Sequence, residues 1–184
     1  MVDLLTLQKH FILEHLHPGD TACDFTMGNG HDTAFLSGTV GPEGSVTAFD
    51  IQPMALESTA KNLRRCGCPE NWRLICDSHH NAAKYVKGPI KAGMFNLGYL
   101  PGSHNKALTT MRSTTLPAVE GALSLLGKDS ILMVAVYPGH AEGEAEGVEL
   151  QKYFASLSRF KLSVGMFKLI NSPTSPYFMI AETK

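Results

Sequence analysis

Apolar residues at positions 4, 5, 7, 11, 12 and 16 recur at helical spacing, and Pro18-Gly19 closes the run, so a helix is predicted over 3–16. Thr21–Phe25 is short and apolar, which fits a strand. A glycine-containing turn leads into a helix over roughly 31–40, and Ser45–Ile51 reads as a second strand. Pro53 suits a first helical turn, and the helix it opens runs to about Arg65 before Gly67. Trp72–Cys76 and Ala92–Asn96 are the third and fourth strands. After a loop over 98–112, Thr114 or Thr115 caps a helix reaching Leu126. Asp129–Tyr137 contains ILMVAVY, apolar throughout, as expected of a central strand covered on both faces. Residues 142–157 form a further helix. Phe160, Leu162, Val164 and Met166 then alternate before a turn over Asn171–Pro176 and a strand over Tyr177–Ala181, an antiparallel pair.

Strand and helix alternate, so the expected fold is α/β: a mostly parallel seven-stranded sheet, helices on both faces, and a C-terminal antiparallel hairpin. The 184 residues fit one domain over 1–184. With 43% hydrophobic and 18% charged residues the chain is ordinary globular material. A formal net charge of −1 argues against a non-specific nucleic-acid binder held by charge alone. Cys23 and Cys76 sit in apolar runs and read as buried small hydrophobes, and no zinc-ligand spacing is visible. Neither a signal peptide nor a membrane span is evident, so a cytoplasmic protein is expected.

Chemistry concentrates where strands end. Asp24-Phe-Thr-Met-Gly28-Asn29-Gly30-His31-Asp32 lies between the first strand and its helix, where glycines let the backbone approach a ligand and the helix offers free N–H groups. Asp50 ends the second strand and can accept both hydroxyls of a ribose. Asp77 and Ser78 end the third, near where an adenine ring would lie. The third glycine of a dinucleotide fingerprint is replaced by Thr33. S-adenosylmethionine (SAM) has no pyrophosphate, so that loss matters less for it, and an acidic residue at Asp24 suits its amino-acid end. The layout looks like a Rossmann-like class I methyltransferase.

Phe95-Asn96-Leu97-Gly98-Tyr99-Leu100-Pro101-Gly102 follows the fourth strand and loosely matches the NPPY loop of amine-methylating enzymes. There the Asn amide oxygen accepts a hydrogen bond from the target nitrogen and orients it, while the aromatic stacks on a base. Tyr137-Pro-Gly-His140 follows the fifth strand, and His140 is the candidate proton acceptor. His79 is expected to line the cofactor pocket. No metal is expected.

Four motifs in order, TMGNGHDT (26–33), AFDIQ (48–52), FNLGYLPG (95–102) and YPGHAEG (137–143), with the terminal INSPTSPYFMIAE, resemble the YtqB-like rRNA methylase family nearly end to end. Its characterised members, of MnmM type, methylate the exocyclic amine of 5-aminomethyl-2-thiouridine at the tRNA wobble position. The resemblance implies SAM as cofactor, S-adenosylhomocysteine (SAH) as product, a class I fold, a homodimer, and the tRNA anticodon region as partner. By position it implies that Gly28, Asn29, Gly30, Asp32, Asp50, Gln52, Ser78, His79 and Asn96 hold the cofactor. It also implies that Asn96, Tyr99 and His140 face the amine.

The expected function is therefore SAM-dependent N-methylation of tRNA wobble uridine. The alternatives are an rRNA or small-amine methyltransferase, a nicotinamide-type oxidoreductase, which Thr33 and the terminal hairpin oppose, and a SAM-binding RNA-interaction protein without turnover.

Overall fold

The structure, a computed structural model, describes residues 3–97, 112–139 and 141–184. Helix α1 (Leu4–Leu13) starts at Asp3, whose carboxylate accepts the Leu5 N–H at 3.1 Å. Then come β1 (Thr21–Asp24), α2 (His31–Val40), β2 (Ser45–Asp50), α3 (Pro53–Arg65) and β3 (Trp72–Cys76). A 3₁₀ helix over His79–Lys84 leads to β4 (Ile90–Asn96) and α4 (Arg112–Leu125). The chain continues through β5 (Leu126–Val136), α5 (Ala141–Ser156), β6 (Leu162–Phe167) and β7 (Tyr177–Thr183). Pro53 opens α3, and Gly67, at φ 66°, terminates it.

The seven strands run in the order β3-β2-β1-β4-β5-β7-β6. The first five are parallel, and β7 pairs antiparallel with both β5 and β6. Parallel pairing brings the carboxyl ends of β1, β2, β3 and β4 to one edge. In register terms Asp24 pairs with Ala48 and Met94, Asp50 with Cys76, and Asn96 with Ala135.

β5 shows why its sequence is apolar at successive positions. Leu132, Val134 and Val136 pack on one side with Ala118, Val119, Leu150 and Phe154 of α4 and α5. Ile131, Met133 and Ala135 pack on the other with Ile12, Leu36 and Val40, from α1 and α2. A strand buried on both faces needs both alternating sets to be hydrophobic.

Several sequence expectations shift. β5 begins at Leu126, because Leu126 already pairs with Ile90. Cys76 is exposed, because β3 is an edge strand with one neighbour, whereas Cys23 in β1 is buried. Of the alternating set near the hairpin, Leu162 packs against the core, whereas Val164 and Met166 on the edge strand β6 and Phe160 before it are exposed. The 3₁₀ helix over His79–Lys84 has no counterpart in the sequence pattern. Among the described residues no helix is long and apolar enough to cross a membrane.

Candidate active site at the carboxyl edge of the sheet

The loop between β1 and α2 needs its glycines. Gly28 and Gly30 have φ of 52° and 78°, in the left-handed region where a side chain is strained. Gly30 occupies the N-cap of α2 without a side-chain cap, so the first N–H groups of the helix face the carboxyl edge. One side of α3 fixes the loop. Thr59 Oγ1 donates to the Gly28 carbonyl at 3.1 Å, Asn62 Nδ2 donates to the Gly30 carbonyl at 3.0 Å, and Ser58 Oγ donates to Asn29 Oδ1 at 2.9 Å. A Cβ on Gly30 would lie 2.8 Å from Thr59 Cγ2. This polar row was not singled out from sequence. Its signal is a set of polar side chains at helical spacing that leaves Thr59 and Asn62 buried.

Three carboxylates surround the loop. Asp24 is buried at 1% exposure, and it accepts Thr33 Oγ1–H at 2.6 Å and the Thr26 N–H at 3.1 Å. Burial first, and then the Asp32 charge, push its carboxyl up to about 7. Asp50 accepts the Gly28 N–H at 3.2 Å and the Gln52 N–H at 2.9 Å, and burial raises it too. Burial also raises Asp32, against the pull of Lys9 and His31. Thr33, which displaces the fingerprint glycine, thus holds Asp24.

At the end of β4 the Asn96 N–H donates to Thr26 Oγ1 at 2.7 Å, tying β4 to the loop after β1. Its amide Nδ2 donates to Asp32 Oδ2, and the Tyr137 hydroxyl reaches its Oδ1 at 3.4 Å. Burial raises the Tyr137 phenol. Neither Thr26 nor Tyr137 received a role from sequence, although Tyr137 opens the YPGH motif.

Further along the edge, Asp77 accepts the Ser78 N–H at 2.7 Å, Asn81 Nδ2–H at 3.0 Å and the Tyr85 hydroxyl at 2.8 Å. The bonds from Asn81 and Tyr85 hold its carboxyl below the usual range. Ser78 Oγ lies 2.8 Å from His80 Nδ1. His79 packs edge-on to Phe95 and hydrogen-bonds the Phe25 backbone. Burial pulls its imidazole down to about 4, so it is neutral at pH 7, and its Nε2 is buried with no partner among the described residues.

The structure therefore brings together Asp24, Gly28, Asn29, Gly30, Asp32, Asp50, Gln52 and Asn96 around one loop, with Asp77, Ser78 and His79 beside it. Tyr99 and His140 lie outside the described residues. Among the described residues no three His, Cys, Asp or Glu side chains are placed to hold a metal ion. A buried set of carboxylates pushed up by desolvation and mutual repulsion is relieved by a cation and opposed to an anion. That charge fits the sulfonium and ammonium groups of SAM and disfavours the pyrophosphate of a dinucleotide.

Comparison with known proteins finds relatives in sequence and in fold. A family model described as "Putative rRNA methylase" matches residues 46–182. The chloroplastic tRNA (mnm(5)s(2)U34)-methyltransferase of Arabidopsis thaliana is 32% identical over 178 residues, covering 91% of this chain. The chain spans 65% of the length of that relative. A crystal structure described as a "putative rRNA-methylase" from Clostridium thermocellum superposes with a TM-score of 0.96 at 34% identity, covering 100% of this chain and 99% of that one. One described as a "putative methyltransferase" from Streptococcus mutans, in complex with SAH, has a TM-score of 0.89 at 32% identity, covering 100% and 99%.

Proposed function

The chain belongs to the rRNA methylase family, and from that premise we propose that it is a SAM-dependent N-methyltransferase of RNA, acting on the aminomethyl group of 5-aminomethyl-2-thiouridine at the tRNA wobble position. The class I fold shared with a neighbour holding SAH supports the cofactor. The activity of the Arabidopsis thaliana relative supports the nucleoside. A net charge of −1 suits a small footprint on an anticodon loop better than a long phosphate grip.

One observation carries the reading. Asn96 ends β4 with its amide turned so that Nδ2 donates to Asp32 and Oδ1 points away from it. An amide oxygen fixed in this way accepts an amine N–H and orients the nitrogen lone pair. Tyr137, within reach of the same Oδ1, shares or yields that acceptor as the amine arrives.

The cofactor is held from the β1–α2 loop. Asp50 accepts the ribose hydroxyls, Asp24 and Asp32 face its cationic amino-acid end, and Asp77 and Ser78 lie toward the base. Gly28, Asn29, Gly30, Gln52 and His79 complete the walls. When bound, SAM supplies an electrophilic sulfonium methyl group and leaves as SAH. The surrounding residues act by position: a target nitrogen held in line by Asn96 needs little further activation once it is unprotonated. Tyr99 and His140 are assigned on motif alone to the same acceptor side, with His140 taking the proton. A cytoplasmic homodimer completes the proposal.

The test uses tRNA and rRNA pools from cells lacking the wobble methylation, incubated with purified protein and isotopically labelled SAM. Label recovered on 5-methylaminomethyl-2-thiouridine is the expected result. Label on an rRNA nucleoside would keep the chemistry and overturn the substrate. Bound SAH with no labelled RNA in either pool would overturn the RNA assignment.

A further inference from the structure

A cavity of about 480 Å³ opens beside the site, between α1, the end of β5 and the turn that joins β6 to β7. Its size lies in the range of small-molecule and cofactor sites, roughly 300–1,000 Å³. Leu4 and Leu5 of α1, and Leu169 and Pro176 of the turn, give it apolar walls. Its inner wall is Tyr137, whose hydroxyl reaches the Asn96 amide oxygen at 3.4 Å. The cavity and the acceptor atom of Asn96 therefore share one side chain as their boundary.

Gln8 also lines this cavity. It lies on the inward stripe of α1, one helical turn before Ile12, where an apolar residue is expected. It is buried to 3% exposure, yet its amide makes no hydrogen bond with any described residue. Unlike His79 Nε2, the Gln8 amide is not sealed away, and the residue lines the cavity, so its donor and acceptor can meet what enters. Such a group points to a ligand that completes it. No described Lys or Arg lines the cavity, and the acidic Asp3 does, so a phosphate is disfavoured there. What fits is a flat, neutral, mostly apolar ring with a donor and an acceptor side by side on its rim.

We propose that this cavity receives the pyrimidine ring that carries the reacting amine, with the Gln8 amide pairing to its hydrogen-bonding edge. The amide oxygen accepts the ring N3–H while the amide NH₂ donates to O4, a paired contact that the two ends of a glutamine can make. Leu4, Leu5 and Pro176 cover the faces of the ring, and the substituent at C5 passes Tyr137 to Asn96. A base entering in this way must be unstacked, which costs least in a single-stranded loop. The inference rests on the methyltransferase reading above and adds to it the place of the base.

The test compares Gln8→Leu with wild type on an anticodon stem-loop RNA containing 5-aminomethyl-2-thiouridine. Leucine keeps the bulk and removes both polar atoms. The expected result is a KM for the RNA raised roughly ten- to hundred-fold, the discrimination of a good bidentate side-chain–base pair. The Kd for SAH by calorimetry stays within about two-fold, and the melting temperature does not fall. A folded Gln8→Leu whose RNA KM lies within about two-fold of wild type overturns the proposal. Leu5→Trp is the second variant: Leu5 is 52% exposed, so the larger ring is tolerated while obstructing the cavity. It should raise the RNA KM and leave SAH binding unchanged, and an unchanged KM again overturns the proposal. Wild-type turnover with indifferent variants sinks the cavity alone. Wild type that binds SAH and methylates no RNA sinks the functional reading, and this inference with it.

Discussion

The amide of Asn96 donates from Nδ2 to the Oδ2 of Asp32, across 64 residues of sequence. A carboxylate only accepts, so this bond decides which way the amide faces. Asparagine at position 32 could present either end of its own amide, and the orientation of Asn96 would no longer be fixed. Asp32→Asn should lower kcat by about ten-fold or more, since misorientation near the reacting atom is costly. SAH affinity should fall as well, because Asp32 also faces the cationic amino-acid end, so kcat at saturating SAM isolates the alignment of Asn96. Steady-state kinetics with parallel calorimetry reads both, and an unchanged kcat would remove Asp32 from the alignment of Asn96.

Asp50 has a different task. Its carboxylate ties the Gly28 and Gln52 N–H groups, and in the proposed complex it also takes the ribose. Asp50→Ala removes these acceptors together. SAH affinity should drop by about a hundred-fold or more, the scale of two charge-assisted hydrogen bonds. Equal affinity for variant and wild type in calorimetry would exclude Asp50 from the cofactor site.

Asp24 makes stability depend on pH. Its folded-state value of about 7 lies above the usual 3.8, so the folded state holds the proton more tightly than the unfolded state. The stabilisation is complete below about pH 4 and is lost as pH rises through about 7. Without cofactor, the unfolding free energy from urea titration should therefore be lower at pH 8 than at pH 5, by on the order of a few kcal/mol, and the midpoint lower with it. Asp24→Asn should flatten this profile. A midpoint that rises from pH 5 to pH 8 in wild type would contradict the assignment. A bound cation favours the ionised carboxyl, so SAM should weaken the decline.

Glycines 30 and 38 should respond oppositely to alanine. Gly30 combines φ +78° with a Cβ position 2.8 Å from Thr59. Gly30→Ala should cost roughly 2–4 kcal/mol, from left-handed strain and crowding. Gly38 lies inside α2, where a Cβ would meet nothing within 4 Å. Gly38→Ala should be neutral or stabilising by up to about 1 kcal/mol. Thermal denaturation of the two variants checks both, and equal melting temperatures would contradict the packing of the loop against α3.

The sequence pattern carried most of the strand positions, because a strand buried on both faces leaves an unbroken apolar run, as in Ile131–Val136. It also carried the glycine loop and the acidic strand ends, which depend on local spacing. What it did not carry depends on neighbours. Whether Cys76 or Val164 meets solvent is decided by edge position in the sheet, which no local window encodes. Thr59 and Asn62 look like ordinary polar helix residues until the β1–α2 loop is laid against them. Gln8 reads as a solvated position, and only the packing of α1 reveals that it is enclosed. The Asn96–Asp32 pair joins two motifs recognised separately, and no spacing rule predicts that they touch.

β7 enters the sheet between β5 and β6, although it follows both in the chain. During synthesis β5 therefore has a finished parallel neighbour on one side and an open row of backbone donors and acceptors on the other. That row belongs to the most apolar strand of the sheet, and it stays open until Tyr177–Thr183 has left the ribosome. An unpaired hydrophobic edge invites pairing with a second nascent chain. The interval between translating β5 and translating β7 is thus when this protein is most exposed to aggregation. A chain cut short in that interval would keep the edge of β5 unpaired.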